Sequence, residues 1–95
     1  MRINITPGDL LIARRSHLAD YGMPSAVVEI KRNDRLLVVS AVAAAPAIGA
    51  EVYVEDPELL EACYPDKYYV TALWRERLVE TVIMTDEPFC EVIRG

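Results

Sequence analysis

The chain has 95 residues, of which 53% are hydrophobic and 26% are charged. This length predicts a single domain spanning residues 1–95, and this composition is typical of a globular protein and excludes a disordered one. No uncharged run approaches the roughly 20 apolar residues of a membrane helix, and the first residues lack the pattern of a secretory signal. We therefore expect a cytoplasmic protein with no membrane association.

The net charge of −5 is distributed unevenly along the chain. Residues 1–47 carry six Lys or Arg and four Asp or Glu, a balance of +2, whereas residues 48–95 carry four and eleven, a balance of −7. The acidic total argues against general binding to the phosphate backbone of nucleic acids, so RNA would need a local basic patch. The acidic half favours a basic partner.

Residues with high β propensity concentrate in short runs that are typical of strands. In chain order these runs are 10–14, 26–32, 35–42, 51–55, 68–74, 78–84 and 89–93. A turn at Thr6-Pro7-Gly8-Asp9 precedes the first run. Residues 15–23 are predicted to be a loop, and residues 43–50 a connection of small residues.

Two local patterns connect these runs. Only Asn33 and Asp34 separate the second run from the third, which predicts that these two strands form a hairpin. Asp56-Pro57-Glu58 carries residues favoured at a helix start, so a short helix is expected from there to Tyr64. Six to seven short strands and one short helix predict a mainly β fold, a small SH3-like β-barrel, because closing the sheet removes exposed edge strands.

The order of these elements resembles the PemK/MazF-like growth inhibitors, toxins of bacterial toxin–antitoxin pairs. The resemblance rests on Gly8-Asp9-Leu10-Leu11-Ile12 and on residues 23–28, 36–42 and 67–78. It implies an SH3-like barrel, a tendency to dimerise and, where the family's catalytic residues are present, endoribonuclease activity.

The catalytic positions of that family are occupied differently in this chain. The family's arginine before a proline falls on Met23, and its hydroxyl residue falls near residues 42–44, where no hydroxyl occurs; Ser40 lies a few positions earlier. RNA cleavage requires a proton shuttle and a cation that stabilises the charge developing at phosphorus. Because a methionine supplies neither, the resemblance predicts the scaffold without its chemistry.

Basic residues near the first strand form the main catalytic candidate. If the chain is a nuclease, His17 acts as general acid or base, Arg14 or Arg15 clamps the phosphate, and Ser40 supplies the hydroxyl. Contact with RNA would involve the basic residues Arg14, Arg15, Lys31, Arg32 and Arg35. The alternative interpretation is that these are solvated charges, several of them paired with acidic neighbours.

Aromatic and acidic residues form the main binding candidate, because Tyr and Trp are enriched at protein interfaces and carboxylates attract a basic partner. The candidates are Tyr53, Tyr68, Tyr69, Trp74, Glu55 and Glu58. The alternatives are ring packing in the core, base stacking, and solvated carboxylates. Since side chains alternate along a strand, Tyr68 and Tyr69 should face opposite sides of the sheet.

The cysteine and histidine content predicts neither a metal site nor a cofactor. Cys63 and Cys90 are far apart in sequence, no C-x-x-C motif occurs, and His17 is the only histidine. In a chain without a secretion signal, two such thiols are expected to be reduced.

These observations lead to three hypotheses of function. The first is a non-catalytic binding or inhibitory module on a PemK/MazF-like barrel, of phage or mobile-element origin, with a protein partner. The second is a toxin–antitoxin endoribonuclease with relocated catalytic residues. The third is a small structural connector that forms a homo-oligomer within a larger assembly.

Overall fold

A computed structural model describes residues 3–21, 26–47, 50–54 and 65–95. In these residues the chain forms eight strands: β1 (Leu10–Ala13), β2 (His17–Tyr21), β3 (Ala26–Ile30), β4 (Arg35–Ala47), β5 (Ala50–Val54), β6 (Lys67–Trp74), β7 (Arg77–Met84) and β8 (Cys90–Ile93). No helix long and apolar enough to cross a bilayer is found in this part of the chain.

All eight strands belong to one antiparallel sheet with the order β3-β2-β7-β6-β4-β1-β8, and β5 pairs with β4 off this path. The thirteen-residue β4 runs beside β6 along one edge, and beside first β1 and then β5 along the other. The sheet curls into a half-barrel, and no ladder between described residues joins its edge strands β3 and β8. The prediction of a mainly β, barrel-like domain is therefore confirmed.

The inner face of the curled sheet forms the core. Along β6 the burial alternates, with Tyr68, Val70, Ala72 and Trp74 all buried. The largest fully buried aliphatic side chains of the other strands are Leu11, Ile30, Leu36, Val79 and Ile83. At roughly 25 cal/mol per Å² of apolar area, this burial is the main favourable term for the fold.

A β-bulge in β4 keeps every second side chain of the strand on the core side of the sheet. The register against β6 shifts between Val38 and Ser40, so Val39 and Ser40 are both exposed. Because the extra residue is absorbed there, Val38 is buried and Ala41 packs against the core.

The predicted hairpin between the second and third runs is wrong. β3 pairs with β2, and β4 pairs with β1, β5 and β6. The turn residues instead bond to the end of β1: the Asn33 amide donates to the Ala13 carbonyl (2.8 Å), and the Ala13 amide donates to the Asp34 carbonyl (2.9 Å). Asn33 has a φ of 74°, which asparagine tolerates, and the chain continues into β4, which lies beside β1 and is not adjacent to β3.

Two further segments also differ from the prediction. β2 lies inside the predicted loop 15–23, and β4 continues through the predicted connection as far as Ala47. Ala43 and Ala44 are paired on both sides, to β5 and to β6, so these small residues lie in the middle of the sheet. The predicted helix between Asp56 and Tyr64 lies outside the described residues.

Candidate functional site

The outer face of the sheet, opposite the core, carries a continuous line of aliphatic side chains. Five strands each contribute one residue, directly opposite the next across the ladders: Ile93, Leu10, Leu37, Leu73 and Leu78. We call this line the apolar row. Four of its members are 40–55% exposed, and Leu10 is half-buried. Since neighbouring strands lie about 4.8 Å apart, the row extends across about 19 Å of surface.

Next to the apolar row lies a groove with a volume of about 760 Å³, lined by residues of β2, β3, β4, β6 and β7. Along β6, Leu73 belongs to the row, whereas Thr71 and Tyr69 line the groove on the same face. Along β7, Leu78 is followed in the same way by Glu80 and Val82. The row and the groove therefore form one continuous surface.

The groove contains a pair of facing carboxylates. Asp20 of β2 lies directly opposite Glu80 of β7, and among the described residues the β2–β7 ladder has only one further register pair, Tyr21 with Val79. Like charges placed directly opposite one another destabilise a sheet. Neither carboxylate forms a salt bridge with a described Lys or Arg. The narrowest junction of the sheet is therefore also electrostatically unfavourable.

His17 lies at one end of the groove, stacked on Phe89 with 3.4 Å between the ring centroids. Both ring nitrogens are buried, and neither has a hydrogen-bond partner among the residues that the structure describes. Burial, together with the nearby Arg15 charge, lowers the pKa of His17 from its usual 6.5 to about 4. His17 is therefore neutral at pH 7.

The free energy of unfolding should decrease as the pH falls from 6.5 to about 4, because the unfolded chain protonates His17 there and the folded chain does not. The expected decrease is of the order of 1 kcal/mol, since solvent screens a half-buried ring. Urea unfolding at several pH values measures it, and His17→Phe should remove this part of the pH dependence. If the free energy of unfolding depends on pH in the same way in the wild type and in His17→Phe, the assignment is contradicted. His17→Leu provides a second variant with an uncharged side chain at this position.

The structure brings two of the catalytic candidates, His17 and Ser40, to the same groove. Arg14 forms a salt bridge with Glu91 of β8, and Arg15 lies close enough to His17 to affect its pKa. Lys31 and Arg32 are exposed in the turn after β3, and Arg35 is exposed and lies opposite Ile12. None of these basic residues lines the groove, whose charged lining residues are Asp20 and Glu80.

The aromatic candidates divide between the core and the surface. Tyr68 is buried and its hydroxyl donates to Asn4 Oδ1 (2.8 Å), whereas Trp74 is buried and its Nε1 donates to Asp34 (3.0 Å). Both rings therefore belong to the core and not to a contact surface. The predicted opposition of Tyr68 and Tyr69 is confirmed, because Tyr69 lies on the outer face.

Tyr53 and Tyr69 form a small aromatic cluster on the outer face. Tyr53 is 62% exposed, and its ring centroid lies 5.8 Å from that of Tyr69. The Tyr69 hydroxyl donates to Glu51 Oε2 (2.7 Å), and Lys67 pairs with the same carboxylate. The hydrogen bonds from Lys67 and then Tyr69 lower the pKa of Glu51. The acidic candidates Glu55 and Glu58 lie outside the described residues.

Cys90 is buried and free, and burial raises the pKa of its thiol to about 11, so the thiol is not activated as a nucleophile. Cys63 lies outside the described residues. Within the four described ranges, no group of three or more His, Cys, Asp or Glu side chains could hold a metal ion.

Sequence reasoning missed the apolar row and the carboxylate pair. Leu18 and Asp20 fall in the predicted loop 15–23, whereas Val27 and Glu80 fall in predicted strand runs whose pairing the sequence does not reveal. The pairing of Asp20 with Glu80 joins residues 60 positions apart, and no local pattern signals such a contact. Comparison of this chain with protein-family models, curated proteins and solved structures found no match.

Proposed function

We propose that this chain is a non-catalytic module that binds a protein partner through the outer face of its sheet. The observation that supports the proposal is the apolar row, in which five aliphatic side chains lie side by side on an exposed surface. Single exposed leucines are common and need no explanation, whereas a contiguous apolar patch is typical of an interaction surface.

The surface next to the row has the composition of an interface. Tyr53 is exposed, Tyr69 is half-buried, and two carboxylates lie between apolar groups. Aromatic residues and a polar surround are typical of sites where proteins bind. The proposal includes the derivation of the module from a PemK/MazF-like scaffold, its phage or mobile-element origin and a cytoplasmic location.

The second candidate is an endoribonuclease, which the shared position of His17 and Ser40 on one groove favours. The charges of the groove argue against it, because Asp20 and Glu80 would repel a phosphate group. The ring nitrogens of His17 are also buried, so a substrate could not reach them without a movement of the ring. The family's arginine position falls on Met23, which lies outside the described residues.

Binding and cleavage assays test this proposal. The chain is immobilised and incubated with host extract, and each captured protein is then purified and titrated against the wild type and Leu37→Thr/Leu73→Thr. Threonine keeps the β propensity and removes apolar area, so we expect binding at least ten-fold weaker, which corresponds to about 1.4 kcal/mol. Val52→Thr is the matched control, because Val52 is 48% exposed and lies outside the row.

Three results would contradict the proposal. The first is equal affinity of the captured partner for the wild type and the double variant. The second is cleavage of RNA by the purified chain, lost in His17→Phe or Ser40→Ala, which would support the nuclease. The third is a change from oligomer to monomer in the double variant with no partner captured, which would support the connector.

A further inference from the structure

We infer that the groove binds a lysine or arginine side chain of the partner, held between Asp20 and Glu80. This inference rests on the proposed function and specifies the chemistry of the partner. The partner segment is extended and carries the basic residue between two apolar residues, in the order apolar–x–basic–x–apolar.

The carboxylate pair is the first argument. Directly opposed residues of an antiparallel pair have Cβ atoms about 5 Å apart, so a single ammonium or guanidinium group can reach both carboxylates. Glu29, opposite Leu18 on the same face, adds a third exposed carboxylate nearby. Without a cation the Asp20–Glu80 contact is repulsive, and no described Lys or Arg neutralises it.

The apolar lining of the groove is the second argument. Leu18 and Val27 are 67% and 60% exposed, and Val82 is 44% exposed, all lining the same groove as the carboxylates. Lysine and arginine bury an aliphatic stem along apolar surface and keep the charged group at its end. A bare divalent cation fits less well, because Ca²⁺ and Mg²⁺ take about six or more oxygen ligands and the pair supplies two side chains.

The spacing of the outer face gives the sequence pattern of the partner. Leu73, Thr71 and Tyr69 follow one another on the same face of β6, about 6.8 Å apart, and Leu78, Glu80 and Val82 do so on β7. Three parallel lines of side chains therefore cross this surface. The first is the apolar row, the second contains Asp20 and Glu80, and the third is again apolar and is formed by Val42, Tyr69 and Val82. An extended segment aligned with the strands has the same spacing between its own alternate residues.

Binding of the cation has a structural consequence at the β2–β7 ladder. In the part of the chain that the structure describes, two register pairs join the β2–β3 ribbon to the rest of the sheet there, and one of them is the Asp20–Glu80 pair. A bound cation converts that repulsion into attraction. We therefore expect slower amide hydrogen exchange in β2 and β7 when the groove is occupied.

The probe is the capped peptide Leu-Ser-Arg-Ser-Val, compared with the same peptide carrying neutral citrulline in place of arginine. Titration of the ¹⁵N-labelled chain should shift amide resonances of β2, β6 and β7 with the arginine peptide. Citrulline, or Asp20→Asn/Glu80→Gln in the chain, should weaken binding at least ten-fold. Glu87→Gln is the matched control, because Glu87 is exposed and lies outside the groove. Without peptide, Asp20→Asn/Glu80→Gln should melt at a higher temperature than the wild type. This melting transition also shows that the variant folds.

Equal binding of the two peptides, or of the wild type and Asp20→Asn/Glu80→Gln, would overturn the inference. If the captured partner binds that double variant normally but is lost in Leu37→Thr/Leu73→Thr, the proposed function stands and this inference is wrong. If the partner binds both double variants normally, the proposed function fails as well. Equal weakening by Glu87→Gln would also overturn it, because the effect would then reflect net charge alone.

Discussion

Replacing Asp9 with alanine should lower the free energy of unfolding by about 3 kcal/mol. Asp9 is only 2% exposed and joins the N-terminal turn to the C-terminal residues. It accepts hydrogen bonds from the Thr6 amide (3.0 Å), the Thr6 hydroxyl (3.2 Å) and the Gly95 amide (3.4 Å), and it pairs with Arg94 (2.6 Å). Alanine removes all four interactions. Hydrogen bonds to a charged group contribute about 1.5–3 kcal/mol each, and water partly replaces them at the exposed residues Thr6, Arg94 and Gly95.

The same site predicts a pH dependence. Burial alone would raise the pKa of Asp9, but the Thr6 and Gly95 amides and the Arg94 charge outweigh it and hold the pKa below its usual 3.8. A carboxyl with a lowered folded pKa contributes stability that is fully present above the unfolded pKa and is lost as the pH falls through the folded pKa. The free energy of unfolding of the wild type should therefore decrease as the pH falls below about 4, and Asp9→Asn should lack this decrease.

Urea denaturation of the wild type, Asp9→Ala and Asp9→Asn measures both effects. Asp9→Asn keeps one acceptor oxygen and should cost less than alanine. Glu87→Ala is the control, because Glu87 is exposed and shares none of these contacts. A loss below 0.5 kcal/mol in Asp9→Ala, equal to that of an ordinary surface substitution, would contradict the role assigned to this carboxylate.

Strands with clear alternation could be predicted from the sequence, and those without it could not. β6 and β7 bury every second side chain, so their hydrophobic pattern alone identifies them. In β2 only Ala19 is buried, and a single small residue does not produce an alternating hydrophobic pattern. The Arg75–Glu76 turn between β6 and β7 contains no glycine, yet both residues adopt positive φ (49° and 64°), because the strands on either side are fully paired.

Contacts between distant residues could not be predicted, and the candidate site depends on them. The β1–β8 and β2–β7 ladders join residues about 60 to 80 positions apart, and a one-residue change of register would send every side chain to the other face. Sequence patterns identified the turn at Asn33 and Asp34, but they did not reveal that this turn bonds to the end of β1. The apolar row needs four correct registers at once, so no single strand reveals it.

Asp34→Ala should lower the free energy of unfolding by about 2 kcal/mol, because Asp34 closes the turn that the sequence assigned to a hairpin. Its carboxylate accepts hydrogen bonds from the Lys31 amide (2.9 Å) and from Trp74 Nε1 (3.0 Å), and it lies 3.6 Å from Arg75.

Alanine leaves the buried Trp74 Nε1 without a partner, and that unpaired donor accounts for most of the loss. Burial would raise the pKa of Asp34, but the Lys31 amide, Trp74 and the Arg75 charge lower it, so this contribution also disappears in acid.

Trp74 is the only tryptophan, so its fluorescence reports on the same contact that the substitution removes. We expect Asp34→Ala to shift the emission of the folded state as well as the urea midpoint, whereas Lys31→Ala, whose backbone amide still donates to Asp34, should leave the emission almost unchanged. Arg75 is not a suitable control, because its guanidinium lies 4.9 Å from the centroid of the Trp74 ring. An unchanged spectrum in Asp34→Ala would mean that the Nε1 hydrogen bond does not hold the ring. In that case packing against the core, and not the turn, would keep Trp74 in place.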